Sequence, residues 1–454
     1  MNAISDLDIV EVLVKFTLTS PFMRIAIIHY HLHPGGVSRI IESQVNALVN
    51  FVEPDAITLY AGDIRGRDMH SGPAIEVYEE LVLQYLYENT PAEKMQAQFQ
   101  EIMQCMKKIA GKNDILHIHN LNLGKNPLLT LAVYRLAGTG IRIINHCHDF
   151  AEDRPENLAF LQSVLRDHFD ENLQEVLYPP FENVQYIVLT SKDYERLAGS
   201  GIRTESIHLL PNPVNPHMKG SGAIAKDKVR EQLGIDPYLP VCLYPVRAIH
   251  RKNIGEFILL SVLFYDKASW LITQAPRNPV EIPEYGRWKK FCLDHSIPVV
   301  FEAGNVVDIR DLMPASDYCI TTSMMEGFGM TYLEPWLEGI PVIGRNIEYC
   351  TVDLKRNGLR FPLLYDRFIV PFKGEKKDFK DLDQQQQQHV IQEVMTLPDR
   401  SGELRILNPF LEDFLKPADQ DIIRNNQQVI QVRYSPVSYG QQLYGIYTKL
   451  SDRT

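Results

Sequence analysis

Short, wholly apolar runs recur along the chain, separated by stretches whose apolar positions fall three and four apart. Arg24-Ile25-Ala26-Ile27-Ile28 is the first of them and Val241-Cys242-Leu243-Tyr244 opens the second half. Runs that are apolar throughout, rather than alternating, belong to parallel strands buried on both faces, and the 3.6-period stretches supply the crossover helices. The pattern predicts strands at 24 to 29, 56 to 60, 114 to 119, 141 to 146, 184 to 189 and 206 to 209 in the first half. In the second half it predicts strands at 240 to 245, 268 to 273, 298 to 302, 317 to 321 and 340 to 343. Strand and helix alternate as a doubly wound sheet requires. The fold class is α/β, two Rossmann-like doubly wound domains facing across a cleft, because ligands bind beyond the carboxyl ends of parallel strands.

A chain of 454 residues exceeds one ordinary core, which agrees with two domains. The polar, Gly-rich Lys219-Gly220-Ser221-Gly222-Ala223, just past prolines 211, 213 and 216, marks the boundary. The expected division is an extension over 1–22, a first Rossmann-like domain over 23–218, a second over 219–435 and a terminal helix over 436–454. The apolar patch Ile9-Val10-Glu11-Val12-Leu13-Val14 is broken by Glu11 and flanked by Asp6, Asp8 and Lys15, so it reads as neither signal peptide nor membrane span. Met23 is a candidate natural start, with residues 1–22 expected to add little to activity. Three stretches break the alternation: 76 to 110 reads as one or two long helices, Gln384–Gln388 as a solvated helix or loop, and Val429 to Leu450 is rich in tyrosine.

With 45% hydrophobic and 23% charged residues the composition is that of a globular protein, and the formal charge of −11 argues against a general nucleic-acid binder. The six cysteines, at 105, 147, 242, 292, 319 and 350, have neither metal-ribbon nor disulfide spacing, so a reducing cytoplasm is the expected location.

The chemistry concentrates in Glu326-Gly327-Phe328-Gly329-Met330-Thr331-Tyr332-Leu333-Glu334. A Gly-x-Gly turn between strand and helix lets backbone approach a ligand, and free amides of the following helix favour an anion such as phosphate. Carboxylates beside a phosphate site need sugar hydroxyls or developing positive charge to face, which points to a nucleotide sugar. Arg247 and Lys252 follow the strand at 240 to 245, where two cations can neutralise a diphosphate; a solvated Arg/Lys loop is the bland alternative. Gly35 and Gly36 precede Val37, Ile40, Ile41, Val45 and Leu48 at helical spacing, an N-terminus that can meet the same diphosphate. Three histidine strings occur, His29 to His33, His117 with His119, and His146 with His148, each placing imidazoles on one strand face. A metal site lacks accompanying carboxylate spacing, so no metal is assigned. The strings fit donors to hydroxyls or to an anionic acceptor, with buried, satisfied histidines the alternative for His29 and His117.

Together these blocks resemble the retaining glycosyltransferases of family 4, whose donor site carries E-x(7)-E with an internal Gly-Phe-Gly. Pro34-Gly35-Gly36-Val37, His146-Cys147-His148-Asp149, Leu210-Pro211-Asn212-Pro213-Val214 and Arg247 through Asn253 follow in the expected order. The resemblance spans about residues 24 to 450 and implies a GT-B fold, with 23–218 the acceptor-side domain, 219–435 the nucleotide-sugar donor-binding domain and the 436–454 helix crossing back to the first domain. Asn212-Pro213 and Thr321-Thr322-Ser323 depart from the usual pattern.

The resemblance implies that Arg247 and Lys252 bind the donor diphosphate, that Glu326 faces the donor sugar and that Glu334 meets the ribose, unless Glu334 merely caps its helix. Phe328 packs, and the Gly329, Met330 and Thr331 amides lie near phosphate. His148 contacts the donor sugar, with His146 its rival two residues away. Asp149 orients an imidazole, touches the acceptor or caps a helix. His119, Asn120, Lys125 and Arg154 are acceptor-side candidates. Base contacts are expected around Asn305 to Ile309 and Thr273 to Pro276. The expected reaction moves a hexosyl group from a nucleoside-diphosphate sugar to a small hydrophilic acceptor by front-face attack, with no cofactor required, no nucleic acid and no membrane span. A phosphorylase, a sugar-nucleotide epimerase and a non-catalytic sugar-nucleotide binder are the alternatives on the same fold.

Overall fold

The computed structural model describes residues 23–65, 74–88, 90–215 and 226–452. The 1–22 extension and the Lys219–Ala223 stretch lie outside the described residues. By its contacts the chain divides into two units, the first ending at Pro213 and resuming at Tyr434, the second running Val214–Arg433.

The first unit is built on β1 (Ile25–His29), β2 (Ile57–Ala61), β3 (Glu76–Glu79), β4 (Ile115–His119), β5 (Ile143–Cys147), β6 (Val184–Val188) and β7 (Ile207–Leu209). They form one parallel sheet in the order β3-β2-β1-β4-β5-β6-β7. Both faces are covered, which is why β1 reads as an unbroken apolar run: Ala26 and Ile28 face one core, Ile25 and Ile27 the other. The second core is closed by α1 (Gly36–Leu48) and by the helix Pro436–Ser451 near the chain's far end, whose Tyr439, Leu443, Ile446, Tyr447 and Leu450 are buried there. Gly440 permits that packing, since a Cβ there would stand 2.8 Å from the Ala47 carbonyl oxygen.

The second unit has β8 (Val241–Arg247), β9 (Ser269–Gln274), β10 (Val299–Val300), β11 (Tyr318–Thr321), β12 (Val342–Arg345) and β13 (Leu364–Tyr365), also all parallel, ordered β10-β9-β8-β11-β12-β13. A hairpin follows, β14 (Ile369–Phe372) with β15 (Glu375–Asp378), through Lys373 and Gly374, both at positive φ as a two-residue hairpin turn demands. The buried Arg345 guanidinium ties this hairpin to the sheet and to the helix Ile254–Leu263. It donates to Asp378 at 2.8 and 3.1 Å and to Glu256, which also accepts from Tyr365 at 2.7 Å.

Three expectations are corrected. Residues 76 to 110 are not helical throughout: Glu76–Glu79 is the edge strand β3, and only Ala92–Ala110 is a long helix. Its exposed, acidic residues are those of a helix surface, but pairing with β2 decides. The Gln384–Gln388 run opens the helix Gln384–Thr396 behind an Asp383–Gln386 capping box, and Gln387 is buried rather than solvated. After Gly329 no long helix begins; the turn Met330–Tyr332 is 3-10 and the helix Glu334–Leu337 has four residues.

Candidate functional site

In each sheet the connections reverse direction between two central strands, β1 and β4 in the first, β8 and β11 in the second. The crevice at such a switch point is where doubly wound sheets bind ligands.

In the second unit the loops leaving β8 and β11 converge. Lys252 closes a 3-10 turn, His250–Lys252, after β8 and is 8% exposed. Its backbone is pinned from both strands: Tyr244 Oη donates to the Lys252 carbonyl at 2.8 Å, and Thr322 Oγ1 donates to it at 3.0 Å. Asn253, left-handed at φ 49°, turns the chain into the next helix, and its carboxamide is held by Glu256 at 2.9 Å and Gln387 at 3.2 Å. The glutamine run therefore contributes a buttress one residue from the site. From the β11 loop, Glu326 meets the Lys252 ammonium directly and accepts from Arg251 Nη1 at 2.9 Å. Tyr349 Oη brackets the Glu326 backbone, accepting from its amide at 3.0 Å and donating to its carbonyl at 2.8 Å.

Burial sets the electrostatics of this pair. Desolvation draws the Lys252 ammonium below its usual value against the pull of Glu326. For Glu326 desolvation acts upward, but the charges of Lys252 and Arg251 outweigh it and leave the carboxyl below the ordinary range. Glu326 is therefore ionised near neutrality. Arg247, the cation chosen from sequence, ends β8 and hydrogen-bonds Gln274 at 3.3 Å; Arg251 is the arginine that reaches Glu326. Nothing in the run His250-Arg251-Lys252 singles Arg251 out, because a 3-10 turn has no periodicity to read.

Gly329 sits at φ 89°, and a Cβ there would stand 2.8 Å from the Tyr332 ring. The Tyr332 and Leu333 amides close the turn onto Gly329 and Met330 carbonyls, whereas among the described residues the Gly329, Met330 and Thr331 amides have no acceptor. Phe328 is buried, and Glu334 opens the four-residue helix.

In the first unit a cavity of about 420 Å³ opens at the β1/β4 switch point, lined by His29, Gly35, Gly36, Ser38, Tyr85, Asn120, Lys125, Asp149 and Arg154 among others. Gly35 precedes α1 in extended conformation, and a Cβ on Gly36 would meet nothing within 4 Å, so the space before the two glycines is cavity. Asn120 organises the wall. Its Oδ1 accepts from the His148 and Asp149 amides at 3.0 and 2.9 Å, and its Nδ2 donates to the Asp149 carboxylate at 3.3 Å. Arg154 closes on Asp149 at 2.9 Å, while among the described residues no carboxylate pairs with Lys125.

Behind this wall the strand register sets His119 opposite His146, so four imidazoles share one sheet face. His119 Nδ1 lies 2.9 Å from His148 Nε2, and His117 Nε2 lies 3.1 Å from His146 Nδ1. Tyr447 Oη, from the helix Pro436–Ser451, reaches His117 Nδ1 at 2.7 Å. His119 Nε2 and His146 Nε2 are buried without a partner among the described residues. Burial, with the neighbouring imidazoles adding to it, keeps these rings neutral: His117 falls to about 3, and His119 and His146 fall well below 6.5. His148 falls to about 4 by burial, against a small upward pull from Asp149. Nitrogens of His117, His119 and His146 come within 4.8 Å of one another. The His117 and His119 rings stack at 19°, whereas His119 and His146 are tilted at 31° and His117 and His146 at 50°.

Among the described residues no helix is long and apolar enough to cross a membrane. Among models of known protein families, none matches the chain. The mannosylglucosyl-3-phosphoglycerate synthase of Petrotoga mobilis is 30% identical over 372 residues, 76% of this chain and 68% of that protein. Among solved structures, Anabaena HepE in complex with UDP-glucose matches with a TM-score of 0.60 at 16% identity, over 94% of this chain and 100% of that one. WaaG, a glycosyltransferase involved in lipopolysaccharide biosynthesis, matches with a TM-score of 0.53 at 14% identity, over 90% and 99%. With its two parallel-sheet units matching GT-B structures, the chain belongs to the family-4-type glycosyltransferases that include the Petrotoga mobilis synthase.

Proposed function

We propose that this glycosyltransferase moves a hexosyl group, with retention, from a nucleoside-diphosphate sugar to a hydroxyl of a small hydrophilic acceptor of the glycerate class. The single observation carrying the donor half is the Lys252–Glu326–Arg251 cluster, its Lys252 and Glu326 side chains largely buried, beside Gly329, Met330 and Thr331 amides that have no acceptor among the described residues. Lys252, Arg247 and those amides receive the diphosphate as its charge grows, Glu326 faces the sugar, and Glu334 takes the ribose hydroxyls. The UDP-glucose bound by HepE supports this donor class. The acceptor occupies the first-unit cavity, its anionic group toward Lys125 and the uncapped N-terminus of α1. The 3-phosphoglycerate in the Petrotoga relative's name supports an acceptor of that kind. His148 reaches the donor sugar, with His146 behind it.

Glu326 is committed to two cations, which favours front-face substitution over attack by a protein carboxylate. The C1–O bond to the diphosphate breaks, the acceptor oxygen bonds C1 on the same face, and the acceptor proton passes to the departing phosphate oxygen. Orientation and charge stabilisation are the protein's share.

Thermal stabilisation by UDP, GDP, ADP and their sugars, wild type against Lys252→Ala, tests the donor site. Transfer to glycerate, 3-phosphoglycerate and their glucosides then tests the acceptor. Stabilisation by one nucleotide that is lost in the variant, with product formed on one acceptor, is the expected result. No stabilisation by any nucleotide overturns the donor reading, and release of sugar phosphate on adding orthophosphate would make the enzyme a phosphorylase.

A further inference from the structure

Granted the acceptor reading of the first-unit cavity, on which it rests, we infer that His29 selects the acceptor by receiving a hydrogen bond from one of its hydroxyls at Nε2. The His29 ring ends β1 at the switch point, is 3% exposed and lines the cavity. Its Nδ1 lies 3.3 Å from the His119 carbonyl oxygen. A carbonyl only accepts, so Nδ1 carries the proton. The charges that His31 and His148 would carry oppose a second proton, while the His119 carbonyl favours it. His31 lies 5.4 Å away and His119 6.3 Å away, centroid to centroid, and the Asp149 carboxylate is drawn to Arg154 and Asn120. Burial lowers the imidazole to about 3, so the neutral ring persists through the physiological range. Nε2 is then a bare lone pair.

A lone pair at a cavity wall discriminates by chemistry. A hydroxyl donates to it, whereas a carboxylate or ionised phosphate offers only lone pairs and is repelled. Lys125 lines the same cavity with no carboxylate partner among the described residues. The cavity therefore sorts the two ends of one molecule, hydroxyl to His29 and anion to Lys125. Tyr85, His31, Asp149, Arg154 and Glu156 are its other titratable or charged lining groups.

Calorimetric binding of glucosylglycerate and of glucosyl-3-phosphoglycerate to the full chain tests this, using His29→Phe, which keeps the ring and loses the lone pair, and His29→Gln, which returns an amide near the Nε2 position. His29→Phe is expected to weaken binding about tenfold, His29→Gln to restore most of it, and nucleotide-sugar binding to stay unchanged. The contribution of His29 is expected to be flat between about pH 5 and pH 8, since no proton is gained there. Unchanged binding in a folded His29→Phe, or a His29-dependent affinity that falls as pH rises through about 6.5, as an imidazolium contact would give, overturns the assignment while leaving the transferase reading intact. If neither glucoside binds the wild type while a nucleotide sugar does, the acceptor reading falls and this assignment with it.

Discussion

Arg251 is the residue whose loss isolates one interaction. Removing it leaves Glu326 on Lys252 but takes away half of the charge that holds its carboxylate, so Arg251→Ala is expected to lower kcat about tenfold with the fold intact. Lys252→Ala removes a proposed diphosphate ligand and Glu326→Ala strands the buried Lys252 ammonium, and each is expected to cost on the order of a hundredfold or more in kcat. Steady-state rates on one donor, with circular dichroism for folding, check all three. Near-normal turnover in either of the last two would remove them from the mechanism. Glu326 and Lys252 were legible because a glycine turn and a post-strand cation have local signatures. Arg251 and the Tyr349 and Gln387 supports were not, since their partners lie 75, 23 and 134 residues away. The shared face of His117 and His119 follows from alternation along β4, but its alignment with His146 needs the β4–β5 register, which only pairing defines.

At the level of elements, the apolar runs marked the central strands because both their faces are covered. β3 escaped because an edge strand with solvated acidic side chains carries no apolar signal, and the hairpin β14–β15 because Glu375, Lys376 and Lys377 read as loop. That hairpin is anchored both by an apolar face, Val370 and Phe372 in the core, and by charge at Asp378. Arg345 is 2% exposed and is shared between Asp378 and Glu256. Arg345→Met leaves two buried carboxylates without their cation and is expected to destabilise the second unit by about 3–5 kcal/mol. Urea unfolding reports it; a loss below about 1 kcal/mol would contradict this role for Arg345. Because Glu256 also holds Asn253, this variant should loosen the Lys252 turn as well, visible as weaker nucleotide binding.

For the molecule as a whole, stability should depend on pH through its buried imidazoles. His29, His117, His119, His146 and His148 are all held below the 6.5 of a free ring, by burial first. The unfolded chain takes up protons that the folded chain refuses, so between 6.5 and about 4 it binds more of them, and stability falls as pH drops through that window. Each ring contributes a slope of about 1.4 kcal/mol per pH unit there and none above it. Thermal unfolding followed from neutral pH downward should show an early acid transition, abolished stepwise by replacing the histidines with glutamine; an unfolding temperature flat to about pH 4.5 would contradict it.

The return of the helix Pro436–Ser451 to the first unit also sets an order of events during synthesis. All seven strands of the first sheet leave the ribosome before residue 214, yet Ile25, Ile27, Val45 and Leu48 keep part of their cover missing, and His117 lacks Tyr447, until the whole second unit has been translated. Vectorial folding therefore leaves a nascent chain with an uncovered apolar face for some 220 residues of elongation, a span of about ten to forty seconds in which that face is open to chaperones and to aggregation.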